Sequence, residues 1–460
     1  MTEHITALKS VLTDSQISIE HSDLIEFGKD RTHVHAPNPS IIVFPKTTEQ
    51  VSAILRYCNE NNVAVVPSGG RTGLAGAAIA ANGEVVLSLS KMNQILNIDT
   101  IGATVEVESG AILETIQNEV KDAGLYFPLD FAAKGTAQIG GCISTNAGGV
   151  KVIKYGMTRE IVLGLEVVLM NGDVLHLNKK LIKDNSGYNL TQLFIGAEGT
   201  LGVITKATLK CVPPAKNAQV GLFACESFEH IPQILTKTRA EGYDIVAFEF
   251  FTKSGKEAVE HHVSSIQYPF EDEYDYFVLL EINGREEDDF FNLMETLAED
   301  ELIIDGTTAE SSAEEENLWG LRENISESVS MLGKVHKNDV SVPVAKLSEF
   351  VTQLDELVTS KYAHYHMVLF GHIGDGNIHV NIIDKSDRSM NEFKAEVHKL
   401  DEEMFEMISR LNGSISAEHG IGLLKKEGLK FRRSEDEITL MKQIKSVFDP
   451  KGLLNPGKIF

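Results

Sequence analysis

Residues 67–78 read PSGGRTGLAGAA, a stretch with four glycines. It follows the apolar run VAVVP, so the pattern predicts a strand that enters a loop. Gly69, Gly70, Gly73 and Gly76 allow positive φ and close backbone approach, so successive N–H groups can turn toward an anion. The stretch contains neither a Walker GKS or GKT nor the GxGxxG of a nicotinamide-binding turn. An ordinary glycine-rich turn and a nucleotide phosphate loop both remain open on this stretch alone.

The bulk composition excludes several classes of protein. A chain of 460 residues is long for one hydrophobic core, so we expect at least two domains. The formal net charge of −25 argues against a nucleic-acid partner, and against docking on anionic lipid through a basic patch. No apolar stretch approaches the roughly 20 residues that a membrane helix requires, so we expect no transmembrane segment.

The cysteines and the first residues bear on the compartment. Cys58, Cys142, Cys211 and Cys225 are far apart and lack CxxC spacing, which indicates reduced thiols. The opening MTEHITALKSVL has no basic segment before a long apolar run, so we expect no secretory signal. We therefore expect a cytoplasmic protein, with bacterial cytosol and organelle matrix not distinguished, and a homodimer as one candidate assembly.

Two regions of the chain differ in the order and type of their predicted strands, turns and helices. Residues 40–213 alternate short apolar runs with glycine-rich turns and include a hairpin pattern at 164–177, which predicts a mixed α+β region. From about 217 to 310, the runs QVGLFACE, YDIVAFEFF, YFVLLEING and LIIDGTTA are separated by helical patterns. This alternation of apolar runs and helical patterns predicts an antiparallel sheet with helices on one face.

Two further stretches share the small residues, hydroxyls and glycines of 67–78. They are PLDFAAKGTAQIGGCISTNAGGVKVIKYG (128–156) and IGAEGTLGVIT (195–205). Three such stretches are expected where backbone wraps an extended dinucleotide. Here the sequence resembles flavoproteins of the vanillyl-alcohol oxidase type, in the branch of D-lactate and D-2-hydroxyglutarate dehydrogenases. The resemblance runs from about residue 38 to the C-terminus.

The resemblance implies an α+β fold with a two-part FAD-binding domain and an antiparallel-sheet substrate (cap) domain. The expected segments are a helical lead-in (1–37), the FAD domain (38–213), the cap domain (214–415) and a C-terminal segment that returns to the FAD domain (416–460). FAD would lie along the glycine-rich loops. The residues assigned to it are Pro67, Ser68, Gly69, Gly70, Arg71, Thr72, Gly73, Gly76, Pro128, Leu129, Thr136, Gly140, Gly141, Ser144, Asn146, Gly148, Gly149, Tyr155, Glu198, Gly199, Gly202, Ile204 and Asn455.

A candidate metal site lies in GHIGDGNIHV (371–380). If GDGN forms the bend of a hairpin, His372 pairs directly with His379, with Cβ atoms about 5 Å apart, although local hydrogen bonds could equally satisfy both rings. Glu418 in SAEHGIG adds a carboxylate, and two histidines with one carboxylate suit a catalytic divalent metal. The resemblance likewise assigns the metal to His372, His379 and Glu418. Zinc is preferred, with manganese the alternative.

Candidate substrate residues follow from LWGLRENISES (318–328), which predicts a helix that places Arg322 and Ser326 on one face. Arg322 could grip a carboxylate bidentately, or it could be a surface arginine on an acidic chain. The resemblance places Arg322, Ser326 and Lys337 where that family contacts the substrate carboxylate. Asn381, on the strand face of His379, and His419, beside Glu418, are further candidate substrate contacts, and His419 is the expected general base. Ser326 stands where we expect threonine in that family, and the hydroxyl survives.

The sequence therefore predicts FAD-dependent, metal-assisted oxidation of a D-2-hydroxy acid, with D-2-hydroxyglutarate as the best candidate. An electron-transfer flavoprotein or a quinone would reoxidise the flavin. The alternatives are a D-lactate dehydrogenase or a glycolate oxidase subunit, then a transferase of the alkyl-glycerone-phosphate synthase type, and last a non-catalytic flavin or metal sensor.

The flavin is expected to be non-covalent. Some members of the superfamily attach it through a histidine in the first loop, where this chain has Arg71 and Thr72. Acid precipitation of the holoprotein should release the yellow flavin into the supernatant. Colour that stays in the protein pellet would contradict non-covalent binding.

Overall fold

Residues 2–32, 34–177, 180–284, 286 and 288–460 are described by a computed structural model. The chain divides into two units. Unit 1 consists of Met1–Gly149, Tyr155–Pro214 and Glu418–Phe460. Unit 2 consists of Val150–Lys154 and Ala215–Ala417.

The helices and strands of the described residues are as follows. The α-helices are α1 (Thr2–Leu8), α2 (His21–Gly28), α3 (Thr48–Glu60), α4 (Leu113–Asp122), α5 (Ile139–Thr145), α6 (Val152–Tyr155), α7 (Thr158–Ile161), α8 (Thr191–Phe194), α9 (His230–Ala240), α10 (Lys253–His262), α11 (Asp289–Glu299), α12 (Ser312–Glu323), α13 (Ile325–Ser330), α14 (Leu347–Lys361), α15 (Met390–Arg410) and α16 (Glu435–Phe448). The strands are β1 (Ile17–Ser18), β2 (Ile41–Val43), β3 (Val65–Ser68), β4 (Val85–Ser88), β5 (Ile95–Asp99), β6 (Thr104–Glu108), β7 (Val162–Val168), β8 (Val174–His176), β9 (Val203–Lys210), β10 (Ala218–Cys225), β11 (Ile245–Thr252), β12 (Tyr276–Asn283), β13 (Asp305–Thr308), β14 (Lys334–Ser341), β15 (His366–Gly371) and β16 (Asn377–Asp384). Short 3₁₀ helices lie at Asp14–Gln16, Val344–Lys346, Ile373–Asp375 and Lys426–Phe431.

Unit 1 contains a four-stranded sheet in the order β1-β2-β4-β3. Strands β2, β4 and β3 are parallel, and nearly all their residues are buried. Strands covered on both faces need apolar side chains at successive positions, which is why these segments read as unbroken apolar runs. The glycine-rich stretch 67–78 therefore begins at the carboxyl end of β3.

The second sheet of unit 1 has five antiparallel strands in the order β5-β6-β9-β7-β8. Its apolar side chains form one core with helices α4 and α5, through residues such as Leu113 and Ile139. Strands β7 and β8 are joined at Gly172, which has φ +87°. The hairpin predicted for 164–177 is confirmed, because an Asn-Gly pair suits a turn with positive φ.

The C-terminal segment of unit 1 completes the four-stranded sheet. Leu454 forms a parallel bridge with Val65, and the Asn455 N–H donates to the Val65 carbonyl at 2.7 Å. The Asn455 side chain donates to the carbonyls of Ala77 and Glu198 at 3.0 and 2.7 Å. These bonds attach the last residues to the loop that follows β3.

Unit 2 is built on a seven-stranded antiparallel sheet in the order β13-β10-β12-β11-β15-β16-β14. Helices cover both of its faces, so the expectation of helices on one face is wrong. Val220 and Leu222 of β10 belong to the core with α10, α12 and α13, whereas Phe223 stacks on Phe290 of α11. The unbroken apolar run of β10 already contained this signal, because a strand with one solvated face would alternate apolar and polar residues.

Segment Val150–Lys154 lies in unit 2, although the sequence placed it in the first domain. Lys151 pairs with Glu281, and the Lys154 ammonium lies 2.6 Å from the Asp244 carboxylate. The Ile153 side chain packs against Gly374, where an added Cβ would lie only 2.4 Å from it. Two ion pairs and one close apolar contact therefore hold this short segment on the sheet unit.

Lys458 is buried in unit 1 and should make the stability of the protein depend on pH. Its ammonium donates to the Ile79 carbonyl at 2.8 Å, and burial lowers the Lys458 pKa to about 8, with Glu84 and Asp30 opposing the shift. A lysine of the unfolded chain titrates near 10.4, so between roughly pH 8 and 10 the unfolded state binds more protons and stability rises with pH.

Lys458→Met lacks this titration. In urea unfolding, the stability of the wild type relative to Lys458→Met should rise by about 2–3 kcal/mol between pH 7.5 and pH 10. Parallel stability profiles for the two proteins would contradict a depressed lysine pKa.

Candidate active site

In the loop 67–78, Gly70 packs against neighbouring backbone, whereas Gly73 borders open space. A Cβ added to Gly70 would lie 2.4 Å from the Thr136 carbonyl oxygen, so this position closes against backbone. A Cβ added to Gly73 or Gly141 would meet no atom within 4 Å. The loop therefore leaves space beside some of its glycines, as a ligand that contacts backbone requires.

Buried polar atoms without partners lie in and around this loop. Ser68 Oγ, Ser109 Oγ, Gln138 Oε1 and Asn455 Oδ1 have no hydrogen-bond partner among the described residues. Gln138 lies against Gly69, and Asn455 is bonded to the loop through its amide nitrogen. Unsatisfied buried polar atoms are rare in folded proteins, so a polar ligand fits this part of unit 1. An extended dinucleotide such as FAD suits the spread of these atoms over several loops.

All residues that the sequence assigned to the cofactor lie in unit 1, and some of them serve the fold. The Ser144 hydroxyl donates to the Gly140 carbonyl within α5 at 2.7 Å. A side chain on Gly202 would lie 2.5 Å from Val167, so Gly202 is needed where strands pack. Ser144 and Gly202 were assigned to the cofactor from the sequence pattern, which does not separate packing positions from ligand contacts.

Glu198 binds the turn that carries Glu418 and His419. Its carboxylate accepts the N–H groups of Ile421 and Gly422, both at 2.7 Å, and burial raises its pKa. The Glu198 side chain therefore holds the glycine-bordered turn in place within unit 1.

The Glu418 carboxylate lies beside the glycine pair at 148–149. A Cβ on Gly148 would lie 2.5 Å from Glu418 Oε1. The missing side chain of Gly148 therefore makes room for this carboxylate, which places Glu418 next to one of the predicted flavin loops.

The hairpin of β15 and β16 differs from its expected register. His379 pairs with Phe370, not with His372. The chain winds into a 3₁₀ turn at Ile373–Asp375 and leaves it through Gly376 at φ +89°, so His372 lies in the turn. The predicted register is wrong because this turn takes up more residues than a tight bend. The two rings still come together, with centroids 5.3 Å apart and planes at 84°.

A carboxylate lies near Nδ1 of each histidine, and neither carboxylate was predicted from the sequence. His372 Nδ1 lies 2.9 and 2.8 Å from the Glu249 oxygens, and His379 Nδ1 lies 3.7 Å from Asp339 Oδ1. A carboxylate only accepts, so it places the His372 proton on Nδ1 and its lone pair on Nε2. This orientation suits a histidine that binds a metal through Nε2. The available signal was a lone glutamate in the apolar run IVAFEFFT.

The electrostatics of this cluster favour a cation. Burial raises the pKa of Asp375 to about 6; Glu249 and Asp339 also raise it, and His372 opposes them. Several carboxylates buried near two imidazoles repel one another unless positive charge compensates them. Arg322, whose Nη2 lies 2.8 Å from Glu249, supplies one positive charge, and a divalent metal bound by the imidazoles would add to it.

Ala417, which precedes Glu418 in the sequence, is hydrogen-bonded to the sheet of unit 2. Asp339 lies directly across from His379, and the Ala417 N–H donates to Asp339 Oδ2 at 3.1 Å. Ala417 is the last residue of unit 2, and Glu418 and His419 follow it in the sequence.

Arg322 and Ser326 lie on two helices, not on one. Helix α12 ends at Glu323 and α13 begins at Ile325, so the single predicted helix is wrong. The break is at Asn324, whose side chain donates back to the Gly320 carbonyl at 2.8 Å. A side-chain bond of this kind competes with the regular helical pattern.

Arg322 is buried, so it is not a surface arginine. Its exposed fraction is 5 %, and its Nη2 lies 2.8 Å from Glu249 Oε2 in an ion pair. Neither Nε nor Nη2 has a well-directed hydrogen-bond partner among the described residues. The guanidinium carbon lies 4.8 Å from the centre of the Phe370 ring. A buried guanidinium with unsatisfied N–H groups suits an incoming carboxylate.

Three further predicted substrate residues come together in unit 2. The Lys337 ammonium donates to the Ser326 carbonyl at 2.7 Å and to its hydroxyl at 3.1 Å. Lys337 lies directly across from Asn381, whose side chain donates to the Val368 carbonyl at 3.2 Å. Asn381 and His379 are two residues apart on β16 and therefore share a face of the sheet.

Two family descriptions match this chain, and both concern flavin. "FAD binding domain" matches residues 39–178, and "FAD linked oxidases, C-terminal domain" matches residues 214–459. The protein is thus a flavoprotein of the oxidase class. Because the C-terminal match alone covers more than half of the chain, the protein belongs to the family of FAD-linked oxidases.

Two named relatives align with nearly the whole chain. A protein of Stutzerimonas stutzeri (strain A1501), named D-2-hydroxyglutarate dehydrogenase, is 43% identical over 99% of this chain and 98% of its own. A protein of Schizosaccharomyces pombe (strain 972 / ATCC 24843), named provisionally as a mitochondrial D-lactate dehydrogenase, is 39% identical over 96% of this chain and 85% of its own.

A solved structure shares the fold. The crystal structure of p-cresol methylhydroxylase with substrate bound superposes with a TM-score of 0.77, at 17% identity, over 100% of this chain and 96% of the other. The flavoprotein family and the α+β fold predicted from the sequence are confirmed. Among the described helices, none combines the length and apolar character needed to cross a membrane.

Two glycines of the loop offer a matched test of flavin contact. Gly73→Ala places a Cβ in open space, so it should leave the stability of the flavin-free protein within about 1 kcal/mol of wild type. It should weaken FAD at least tenfold in a fluorescence titration, since the new methyl group occupies the ligand's space. Gly70→Ala should instead lower stability, because its Cβ overlaps backbone. Wild-type FAD affinity in Gly73→Ala would show that the flavin lies elsewhere.

Proposed function

We propose that this protein oxidises a D-2-hydroxy acid to the 2-oxo acid, and that D-2-hydroxyglutarate is its preferred substrate. The observation that carries this proposal is the buried Arg322 of unit 2, which is ion-paired with Glu249 and whose Nε has no hydrogen-bond partner among the described residues. The name of the Stutzerimonas stutzeri relative supports the same substrate.

The cofactors in this proposal are non-covalent FAD and a divalent metal, zinc in preference to manganese. Bound FAD supplies the acceptor for hydride, and the bound metal supplies a Lewis acid for the substrate hydroxyl. The chain would hold FAD with the loops of unit 1 around Gly69–Gly73. It would hold the metal with His372, His379 and Glu418, whose nitrogen and carboxylate donors suit either ion.

His419 is proposed as the general base. Oxidation of the substrate removes a proton from the 2-hydroxyl and a hydride from C2, which leaves a carbonyl. An imidazole takes such a proton efficiently near neutral pH. His419 follows Glu418 directly, so it stands next to the proposed metal ligand in the chain.

The dicarboxylate preference follows from the cations of unit 2. Arg322, Lys337 and Ser326 together offer two positive charges and a hydroxyl, more than the single carboxylate of lactate needs. A net charge of −25 repels an anionic substrate at long range, so local cations are required at the site. We assign Lys337 and Ser326 to the distal carboxylate.

D-lactate is the second candidate, and the provisional name of the Schizosaccharomyces pombe relative favours it. The two substrates differ in the distal carboxylate. An electron-transfer flavoprotein or a quinone is proposed as the final electron acceptor, a homodimer as the assembly, and a bacterial cytosol or an organelle matrix as the compartment.

A panel of D- and L-2-hydroxy acids with a dye acceptor, run with and without chelator, tests the proposal. D-2-hydroxyglutarate should give the highest kcat/KM, L-enantiomers should be poor, and chelator should abolish turnover. Lys337→Ala should lower kcat/KM for D-2-hydroxyglutarate ten- to a hundredfold, because a charged hydrogen bond contributes about 1.5–3 kcal/mol.

The same variant should leave kcat/KM for D-lactate nearly unchanged. Equal losses on the two acids would show that Lys337 does not bind the distal carboxylate and would favour D-lactate. Full turnover after chelation would contradict the metal.

A further inference from the structure

Glu249 contacts two residues with different proposed partners. It lies on β11, within the apolar run IVAFEFFT, and its exposed fraction is 1 %. Both of its oxygens lie within 2.9 Å of His372 Nδ1. Oε2 also lies 2.8 Å from Arg322 Nη2. One buried carboxylate thus joins a proposed metal ligand to the proposed carboxylate-binding arginine.

We propose that Glu249 is a positioning residue that sets both the metal affinity and the carboxylate affinity of unit 2. The inference rests on the proposed function. Glu249 itself would touch neither the metal nor the substrate, and it would act through His372 and Arg322.

The effect on the metal follows from hydrogen bonding at His372. An acceptor at Nδ1 keeps the proton there, orients the ring and raises the basicity of Nε2. A glutamine at this position offers one acceptor in place of two, and its amide group can turn N–H toward the ring. The metal affinity should then fall about ten- to a hundredfold, the usual result of removing such a partner.

The effect on the substrate follows from the placement of Arg322. The guanidinium is held between the Glu249 carboxylate and the face of Phe370, 4.8 Å from the ring centre. This arrangement leaves Nε without a hydrogen-bond partner among the described residues and fixes its direction. Without the Glu249 charge, the guanidinium loses its ion pair and can adopt other rotamers. Removing this charge also lessens the repulsion of an anionic ligand, and we expect the loss of a fixed guanidinium to outweigh that gain, so carboxylate affinity should fall as well.

The test measures binding, not turnover, in holoprotein that retains FAD. Zinc affinity is measured by competition with a chromogenic chelator, and 2-oxoglutarate affinity by calorimetry at saturating zinc. Glu249→Gln should weaken zinc about ten- to a hundredfold and 2-oxoglutarate about tenfold or more. Arg322→Met should weaken 2-oxoglutarate and bind zinc at least as tightly as wild type, because it removes a nearby positive charge.

Glu281→Gln is the matched control. Glu281 lies on the neighbouring strand β12, is also buried, and pairs with Lys151 instead of with Arg322. Both affinities should stay within about twofold of wild type in this variant, since its carboxylate contacts neither proposed binding residue. A similar loss in Glu281→Gln and in Glu249→Gln would reduce Glu249 to a general role in folding and overturn the proposal.

Other outcomes separate this proposal from the proposed function. Zinc affinity of Glu249→Gln within twofold of wild type, while His372→Ala loses zinc, overturns the role of Glu249 alone. Retention of zinc in His372→Ala overturns the proposed metal site itself. If Glu249→Gln does not fold, Glu249→Asp replaces it. The shorter carboxylate cannot contact both partners, so at least one affinity should fall about tenfold, and retention of both overturns the proposal.

Discussion

The structure of unit 2 depends on partners for the charged side chains that are buried inside its apolar sheet. Removing an ion from water costs several kcal/mol unless partners replace the lost hydration. Glu249 meets this constraint with Arg322 and His372, and Asp339 meets it with amides of Asn377 and Ala417. These partners come from three stretches of the chain: Arg322 from one, His372 and Asn377 from a second, and Ala417 from a third. The apolar sheet is therefore stable only with its polar residues in one arrangement, and that arrangement is the candidate site.

Unit 1 combines closely packed backbone with glycines that leave room for a ligand. Some of its glycines are needed where chains touch, as at Gly70 and Gly149, where an added Cβ would lie 2.4 and 2.0 Å from carbonyl oxygens. Others border open space. Buried polar atoms such as Ser68 Oγ lack partners among the described residues. The family of FAD-linked oxidases gives these features a common reason, because FAD presents a long polar surface to several loops at once.

Residue patterns in the sequence predicted the two units to different extents. Glycines and hydroxyls in three stretches are specific in combination, and they predicted the flavoprotein family that the comparisons confirm. The proximity of His372 and His379 was predicted, but their direct pairing was wrong, because the turn between them winds into 3₁₀ form and shifts the register. The helix drawn through Arg322 was also wrong, since the side-chain bond of Asn324 ends it. Both errors concern local hydrogen bonds, which residue periodicity does not encode.

The sequence by itself determined the family, the alternation of strands and helices, and the residue types that could hold a flavin, a metal and a carboxylate. It could do so because these depend on local pattern and on motifs that lie close together in the chain. Only the tertiary structure decided that Arg322 is buried and that Glu249 joins it to His372. These residues lie far apart in the chain. Glu249 meets His372 only after strands β11 and β15 pair, and it meets Arg322 only after helix α12 packs on the sheet. The apolar run IVAFEFFT could indicate that Glu249 is buried, but the partners of that charge are a property of the packed fold and could not be read from the run.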